Sequence, residues 1–103
     1  MKEIIIFFVI ALNLIVNINA YSQATSISGN IFDSSSKDPI ELANVYINQS
    51  LIGTYSNKQG VFFLDNIPSG EFDLVFSCAG YQSQIKRISL NKSDTHHFDI
   101  FLK

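Results

Sequence analysis

The stretch Gly53-Thr54-Tyr55-Ser56-Asn57-Lys58-Gln59-Gly60-Val61-Phe62-Phe63-Leu64-Asp65-Asn66-Ile67-Pro68-Ser69-Gly70-Glu71-Phe72-Asp73-Leu74-Val75-Phe76-Ser77-Cys78-Ala79-Gly80-Tyr81 decides the fold class. Short apolar segments alternate in it with turn signals at Gly53-Thr54, Asn57-Lys58-Gln59-Gly60, Ile67-Pro68-Ser69-Gly70 and Gly80-Tyr81. Pro68 presets the φ that opens a turn, and the glycines stand where a reversing chain needs positive φ or close approach. Phe72, Leu74, Phe76 and Cys78 share one parity and Asp73 and Ser77 the other, the period of a half-buried strand. Val61-Phe62-Phe63-Leu64 is a continuous apolar run of strand length, which predicts burial on both faces.

The flanks extend the same rhythm. Ile27, Gly29 and Ile31 share a parity within Thr25–Asp33, and the polar stretch Ser34 to Pro39 then breaks the strand. Ala43, Val45 and Ile47 alternate with Asn44, Tyr46 and Asn48, and a tight Asn48-Gln49-Ser50 connection leads into a strand from Leu51 to Tyr55. Asp65 to Gly70 reads as a turn. From Tyr81 to Leu90 the alternation is imperfect, since Ile85 and Ile88 have opposite parity, which a β-bulge between them would repair. Phe98, Ile100 and Leu102 make a final strand. Seven short strands without helical periodicity predict an all-β, seven-stranded antiparallel β-sandwich with Greek-key connections over residues 25–103.

Residues 1–24 read differently. The apolar run from Ile4 to Ile18, broken only by Asn13 and Asn17, fits a signal-peptide core and is shorter than the roughly 20 residues that span a bilayer. Ser22-Gln23-Ala24 is a small-x-small cleavage site and Ala20 a second candidate, so the expectation is an exported chain cut after Ala20 or Ala24. Cys78 is the single cysteine, which rules out an intrachain disulfide, and no cysteine follows the apolar run to accept a lipid. The core must therefore hold by packing alone. Lysines and arginines are scattered and the net charge is −2, which speaks against nucleic acid or an anionic membrane as partner.

Five motifs in order, Gly29-Asn30-Ile31-Phe32-Asp33, Pro39-Ile40 with Ala43-Asn44-Val45, Gly53 to Asn57 with Gly60-Val61-Phe62, Ile67 to Leu74, and Ser77-Cys78-Ala79-Gly80-Tyr81, resemble the carboxypeptidase regulatory-like domain. The resemblance covers nearly all of residues 25–103. It implies a transthyretin-like seven-stranded sandwich, found after the catalytic unit of metallocarboxypeptidases and ahead of the plug and barrel of TonB-dependent outer-membrane receptors. A leader running directly into the domain looks like the receptor arrangement, whereas no plug, barrel or TonB-box follows Lys103.

Candidate chemistry is sparse. His96 and His97 are adjacent, so a regular strand sends them to opposite faces and they cannot jointly clamp an ion, even with Asp94 and Asp99 nearby. Cys78 continues the Phe72, Leu74, Phe76 face and is expected as a small core residue instead of a nucleophile. Lys86-Arg87 is the one local basic pair and is expected on an exposed strand face. A transthyretin-like hydrolase of purine breakdown products ends in Tyr-Arg-Gly-Ser, whereas this chain ends Ile100-Phe101-Leu102-Lys103. Most of Phe62, Phe63, Phe72, Phe76, Tyr81, Phe98 and Phe101 are expected in the core, which leaves Tyr46 and Tyr55 as the exposed aromatic platform for a carbohydrate. The expectation is a non-enzymatic module for protein interaction or spacing at the cell envelope, periplasmic or outer-membrane associated, with no catalytic group, metal or cofactor. The alternatives are an N-terminal piece of a TonB-dependent receptor and a carboxypeptidase-related or small-molecule hydrolase.

Overall fold

In the computed structural model, residues 25–103 are described; the expected signal peptide, residues 1–24, lies outside them. The described chain forms seven strands: β1 (Thr25–Asp33), β2 (Asn44–Ile47), β3 (Gly53–Tyr55), β4 (Val61–Ile67), β5 (Gly70–Ser77), β6 (Gln84–Leu90) and β7 (Thr95–Leu102). They build two sheets, in the orders β4-β1-β7 and β3-β2-β5-β6. The expected two-layer, seven-stranded sandwich is present, with one departure from an all-antiparallel sandwich: β1 and β7 pair parallel, from Ser26↔Thr95 to Asp33↔Leu102. The ladders are those of a chain that reverses at each of its six connections. Odd-numbered strands then run one way and even-numbered strands the other, so two odd strands placed side by side must be parallel.

One parity of each strand faces the shared core. Ile27 and Ile31 from β1, Phe62 and Leu64 from β4, and Ile100 and Leu102 from β7 meet Val45 and Ile47 from β2, Leu74 and Phe76 from β5, and Ile88 and Leu90 from β6. Phe62 and Phe76 span the two layers edge to face, with ring centroids 5.7 Å apart. Gly29 on β1 stands in register between Phe62 of β4 and Phe98 of β7. A Cβ there would stand 2.0 Å from the Phe98 carbonyl oxygen and 2.8 Å from the Phe62 ring, so the absence of a side chain lets the large ring pack over β1. Gly60, at φ 76°, closes the Asn57 turn, whose side-chain oxygen accepts from the N–H groups of Gln59 and Val61 at 3.0 and 2.9 Å.

Four sequence expectations are corrected. β4 is not buried on both faces: Phe62 and Leu64 enter the core, while Val61 and Phe63 point outward, Phe63 with 57% exposure. The cause is layering: among the described residues no second layer packs on the outer face of the three-stranded sheet, and the central strand β1 alternates in the same way. β4 also continues through Ile67, whose side chain is buried, and the turn before Gly70 is shorter than expected. No bulge lies between Ile85 and Ile88. The β5–β6 register runs unbroken from Gly70↔Leu90 to Phe76↔Gln84, and Ile85 is simply on the outer face, 68% exposed. The register shift that does occur is between Thr25 and Ile27 opposite β4. Finally, most of the seven named aromatics do reach the core, but Tyr46 and Tyr55 are not the only exposed ones: Phe63 and Phe101 stay outside, Phe101 stacked on Phe32 with centroids 5.3 Å apart.

Candidate functional site

The β2–β3 hairpin places Tyr46 and Tyr55 on one surface. Asn44 pairs with Tyr55 and Tyr46 with Gly53, and since Val45 and Ile47 enter the core, these partners stand on the outer face. The two rings are diagonal neighbours, as expected for an exposed platform. They line an open cavity of about 340 Å³ together with Asn44, Ser50, Leu51, Ile52, Gly53 and Thr54, none of which is ionisable. Leu51 beside it is fully exposed, and Leu42, held at φ 62° with its N–H on the Ser56 carbonyl, is 67% exposed. Ser56 fastens this side of the molecule from within. Its buried hydroxyl donates to the Ile40 carbonyl at 2.6 Å and accepts from the Ala43 N–H at 2.9 Å.

On the other side of the hairpin loop a second cavity, about 300 Å³, lies between Asn48, Gln49, Pro68, Phe72 and the ion pairs of Arg87. Arg87 bonds Asp73 at 3.2 Å and Glu71 at 3.4 Å, and the Asp73 carboxylate chiefly holds the guanidinium above its usual, already high pKa. Lys86 takes the opposite parity, with its ammonium 5.0 Å from the centre of the Phe98 ring. The expected basic pair is therefore split between two faces.

The histidines are split too. His96 has inward parity, half-buried beside Phe98 with ring centroids 6.0 Å apart and Asp94 at 3.7 Å. His97 points out from the three-stranded sheet, where register brings it beside Ser28 and places Asp99 beside Asn30. Ser28 Oγ lies 3.4 Å from His97 Nδ1, and Asp99 Oδ1 lies 3.3 Å from His97 Nε2 and 3.0 Å from Asn30 Nδ2. Sequence reasoning missed this network because its members are 69 positions apart and meet only through the parallel β1–β7 ladder. A serine, an imidazole and a carboxylate do stand in line. They stand on an open sheet face, however, and Ser28 is on the central strand, whose backbone groups serve the β4 and β7 ladders, so they build no oxyanion pocket. The arrangement supports a surface polar network. Cys78 packs half-buried against the core. Among the described residues, no group of three or more His, Cys, Asp and Glu converges as a metal would require, and no helix is long and apolar enough to cross a membrane.

A further tie joins the end of β1 to the β5–β6 loop. Asp33 Oδ1 accepts from the N–H groups of Ser35 and Ser36 at 2.8 and 3.0 Å, and Oδ2 accepts from the Tyr81 hydroxyl at 2.7 Å. The Ser36 N–H bond, followed by the Tyr81 bond, holds the Asp33 carboxyl below the usual carboxylate pKa. The bond to Asp33 in turn raises the Tyr81 phenol.

Two inward-packed sheets, exposed loops and an uncharged aromatic cavity define a β-sandwich module. The family model of the CarboxypepD_reg-like domain matches residues 27–103, and the chain belongs to that family. Among solved structures, it is similar to a chain of the type II cohesin–X-dockerin complex from Acetivibrio cellulolyticus, at 18% identity and a TM-score of 0.64, over 76% of this chain and 56% of that one. It is also similar to the major pilin subunit of Bacillus cereus, at 17% identity and a TM-score of 0.62, over 76% of this chain and 29% of that one. At these identities the likeness is one of fold. The chain thus spans little more than half the length of the first and under a third of the second. A search of curated proteins finds no match.

Proposed function

We propose that this chain is an exported, non-enzymatic β-sandwich module that acts by binding a protein partner at the cell envelope. The observation that carries the reading is the β2–β3 surface, where Tyr46, Tyr55 and Leu51 line a cavity without a charged residue and Leu42 stands exposed beside it. Apolar and aromatic side chains rimmed by neutral polar groups are the composition of a protein contact, where burial drives association and charge is depleted at the centre. The likeness to one chain of a cohesin–X-dockerin complex and to a pilin subunit is consistent with such a role. Export is supported by the apolar run Ile4 to Ile18 ahead of Ser22-Gln23-Ala24.

Crosslinking of the C-terminally tagged chain in its own host, followed by N-terminal sequencing, tests the proposal. The expected result is a mature N-terminus at Tyr21 or Thr25, outside the cytoplasm, with one envelope protein recovered in stoichiometric amount. Intact Met1 on cytoplasmic material, or a monomer with no crosslinked partner, would overturn it. A second reading, the periplasmic extension of a TonB-dependent receptor, is favoured by the leader running directly into the domain. In-frame plug and barrel sequence downstream would establish it.

A further inference from the structure

The two sheets present four edges, and three carry devices that discourage pairing with another strand. β6 bears Lys86 and Arg87. The outward carbonyl of Phe101 on β7 accepts from the Gln84 side chain, and the Lys103 carbonyl after it accepts from the Gln82 N–H. β4 carries Asp65 and the turned Asn66, φ 53°, opposite the register shift in β1. Charge, capping and bulging are the usual means of protecting an edge. β3 has none of these, and only its three-residue length limits pairing along it. Its residues and those leading into it, Leu51-Ile52-Gly53-Thr54-Tyr55, include no charge and no proline.

The hydrogen-bond phase determines what this edge offers. Ile47 N–H donates to the Ile52 carbonyl at 3.0 Å, and Ser56 N–H donates to the Ala43 carbonyl at 2.9 Å. Val45 and Thr54, midway between, therefore form the bonded pair, and Gly53 and Tyr55 turn their N–H and C=O groups away from β2. Among the described residues no other strand is hydrogen-bonded on that side, although β4 of the facing sheet comes close to β3. Two donors and two acceptors thus stand in a row next to the Tyr46–Tyr55 cavity and the exposed Leu51.

We propose that the free edge of β3 receives an uncharged, extended polypeptide segment of the partner as an added strand, bonded to the backbone of Gly53 and Tyr55, with alternate apolar side chains against Tyr46, Leu51 and Tyr55. The proposal rests on the reading of the chain as a protein-binding module and names that module's surface and mode. The occupant follows from complementarity. Paired outward N–H and C=O groups at strand spacing match another strand, and a lining without acidic or basic residues gives a charged segment no counter-charge. A second copy fits less well, because two three-residue strands paired with each other bury far less than the about 1,000 Å² of a stable interface.

The test selects phage-displayed heptapeptides on the purified protein and resynthesises those recovered. Hydrogen exchange is then followed by NMR. Uncharged peptides with apolar residues at alternate positions are expected, and they should slow exchange at the Gly53 and Tyr55 amides at least tenfold while leaving Thr54, already bonded to Val45, unchanged. Tyr55→Pro removes an outward donor without touching a β2 bond and should weaken the peptide at least tenfold, whereas Tyr55→Ala keeps the N–H and should weaken it by a few-fold. Thermal melts of both variants establish that they fold. Peptides that bind Tyr55→Pro as tightly as wild type would overturn the proposal. So would protection absent from Gly53 and Tyr55, a self-dimer abolished by Tyr55→Pro, or glycan binding lost equally in both variants. Envelope crosslinking that persists in Tyr55→Pro would leave the interaction module standing and remove only this edge as its site.

Discussion

The two long sides of the sandwich differ in how they are closed. Along β6 and β7 the layers are bridged: the Gln84 side chain reaches the Phe101 carbonyl, Lys86 lies over the Phe98 ring, and the Gln82 backbone N–H donates to the Lys103 carbonyl. Along β3, among the described residues, no side-chain hydrogen bond reaches the facing β4, although the two strands come close. The side is fastened from beneath by the Ser56 hydroxyl, and its edge and aromatic cavity stay open. Both sides enclose one continuous core, so the contrast is not one of packing. It teaches that a small sandwich without disulfides can seal one flank with polar bridges and leave the other available, provided the open flank is anchored internally.

The largest perturbation acts on what both sides share. Phe76→Ala removes a fully buried ring and its edge-to-face contact with Phe62, and a loss of about 3 to 5 kcal/mol is expected. Small domains have only about 5 to 15 kcal/mol in total, so the melting transition should fall steeply or vanish. An unchanged melt would show that the two sides do not depend on a common core. Ser56→Ala separates them. It strands the Ala43 N–H and the Ile40 carbonyl in a buried place, which costs about 1 to 3 kcal/mol. Faster hydrogen exchange in β2 and β3, with β6 and β7 little altered, is the expected pattern, and uniform acceleration would contradict the internal anchor.

Gln84→Ala should do the reverse at a smaller scale. Removing one exposed side-chain bond to the Phe101 carbonyl lowers stability by about 0.5 kcal/mol, and the visible consequence should be concentration-dependent self-association through the uncovered β7 edge. Sedimentation that stays monomeric would mean the bridge does not guard that edge. The mildest test is pH. The folded Asp33 pKa lies below the ordinary value of 3.8, so its stabilising effect is complete above that value and is lost as pH falls through the folded pKa. Tyr81 shifts the other way: its share is complete below 10.0 and is lost as pH rises through the raised folded value. Tyr81→Phe should remove the Tyr81 share of the alkaline limb and lessen the acid limb without abolishing it, since the Ser36 and Ser35 N–H bonds to Asp33 remain, and a profile matching wild type would show the tie to be energetically silent.

Much of the fold was legible because period-two alternation and turn chemistry are local. Phe72, Leu74 and Phe76 gave the direction of β5, and the Asn57–Gly60 turn was readable from its residue types alone. The errors about burial were of one physical kind. Val61 to Leu64 looks doubly buried and Ile85 looks displaced by a bulge only if every apolar side chain must find cover. An outer sheet face with nothing packed on it exposes such residues without disturbing the register. Tyr46 and Tyr55 were assigned to an exposed face from parity, and the β2–β3 register confirms it. The open edge beside them was not readable, since which backbone groups turn outward depends on the phase of the ladder.

The sequence by itself determined the strands, the inward parity of most of them, the turns and the family, since each follows from residue types a few positions apart. Only the tertiary structure decided that β1 and β7 run parallel, that Ser28, His97 and Asp99 meet, that Ser56 anchors the hairpin, and that β3 alone among four edges is left without charge, cap or bulge. Those features depend on which strands become neighbours across dozens of residues. That choice comes from closing two layers around one core, and no local pattern encodes it.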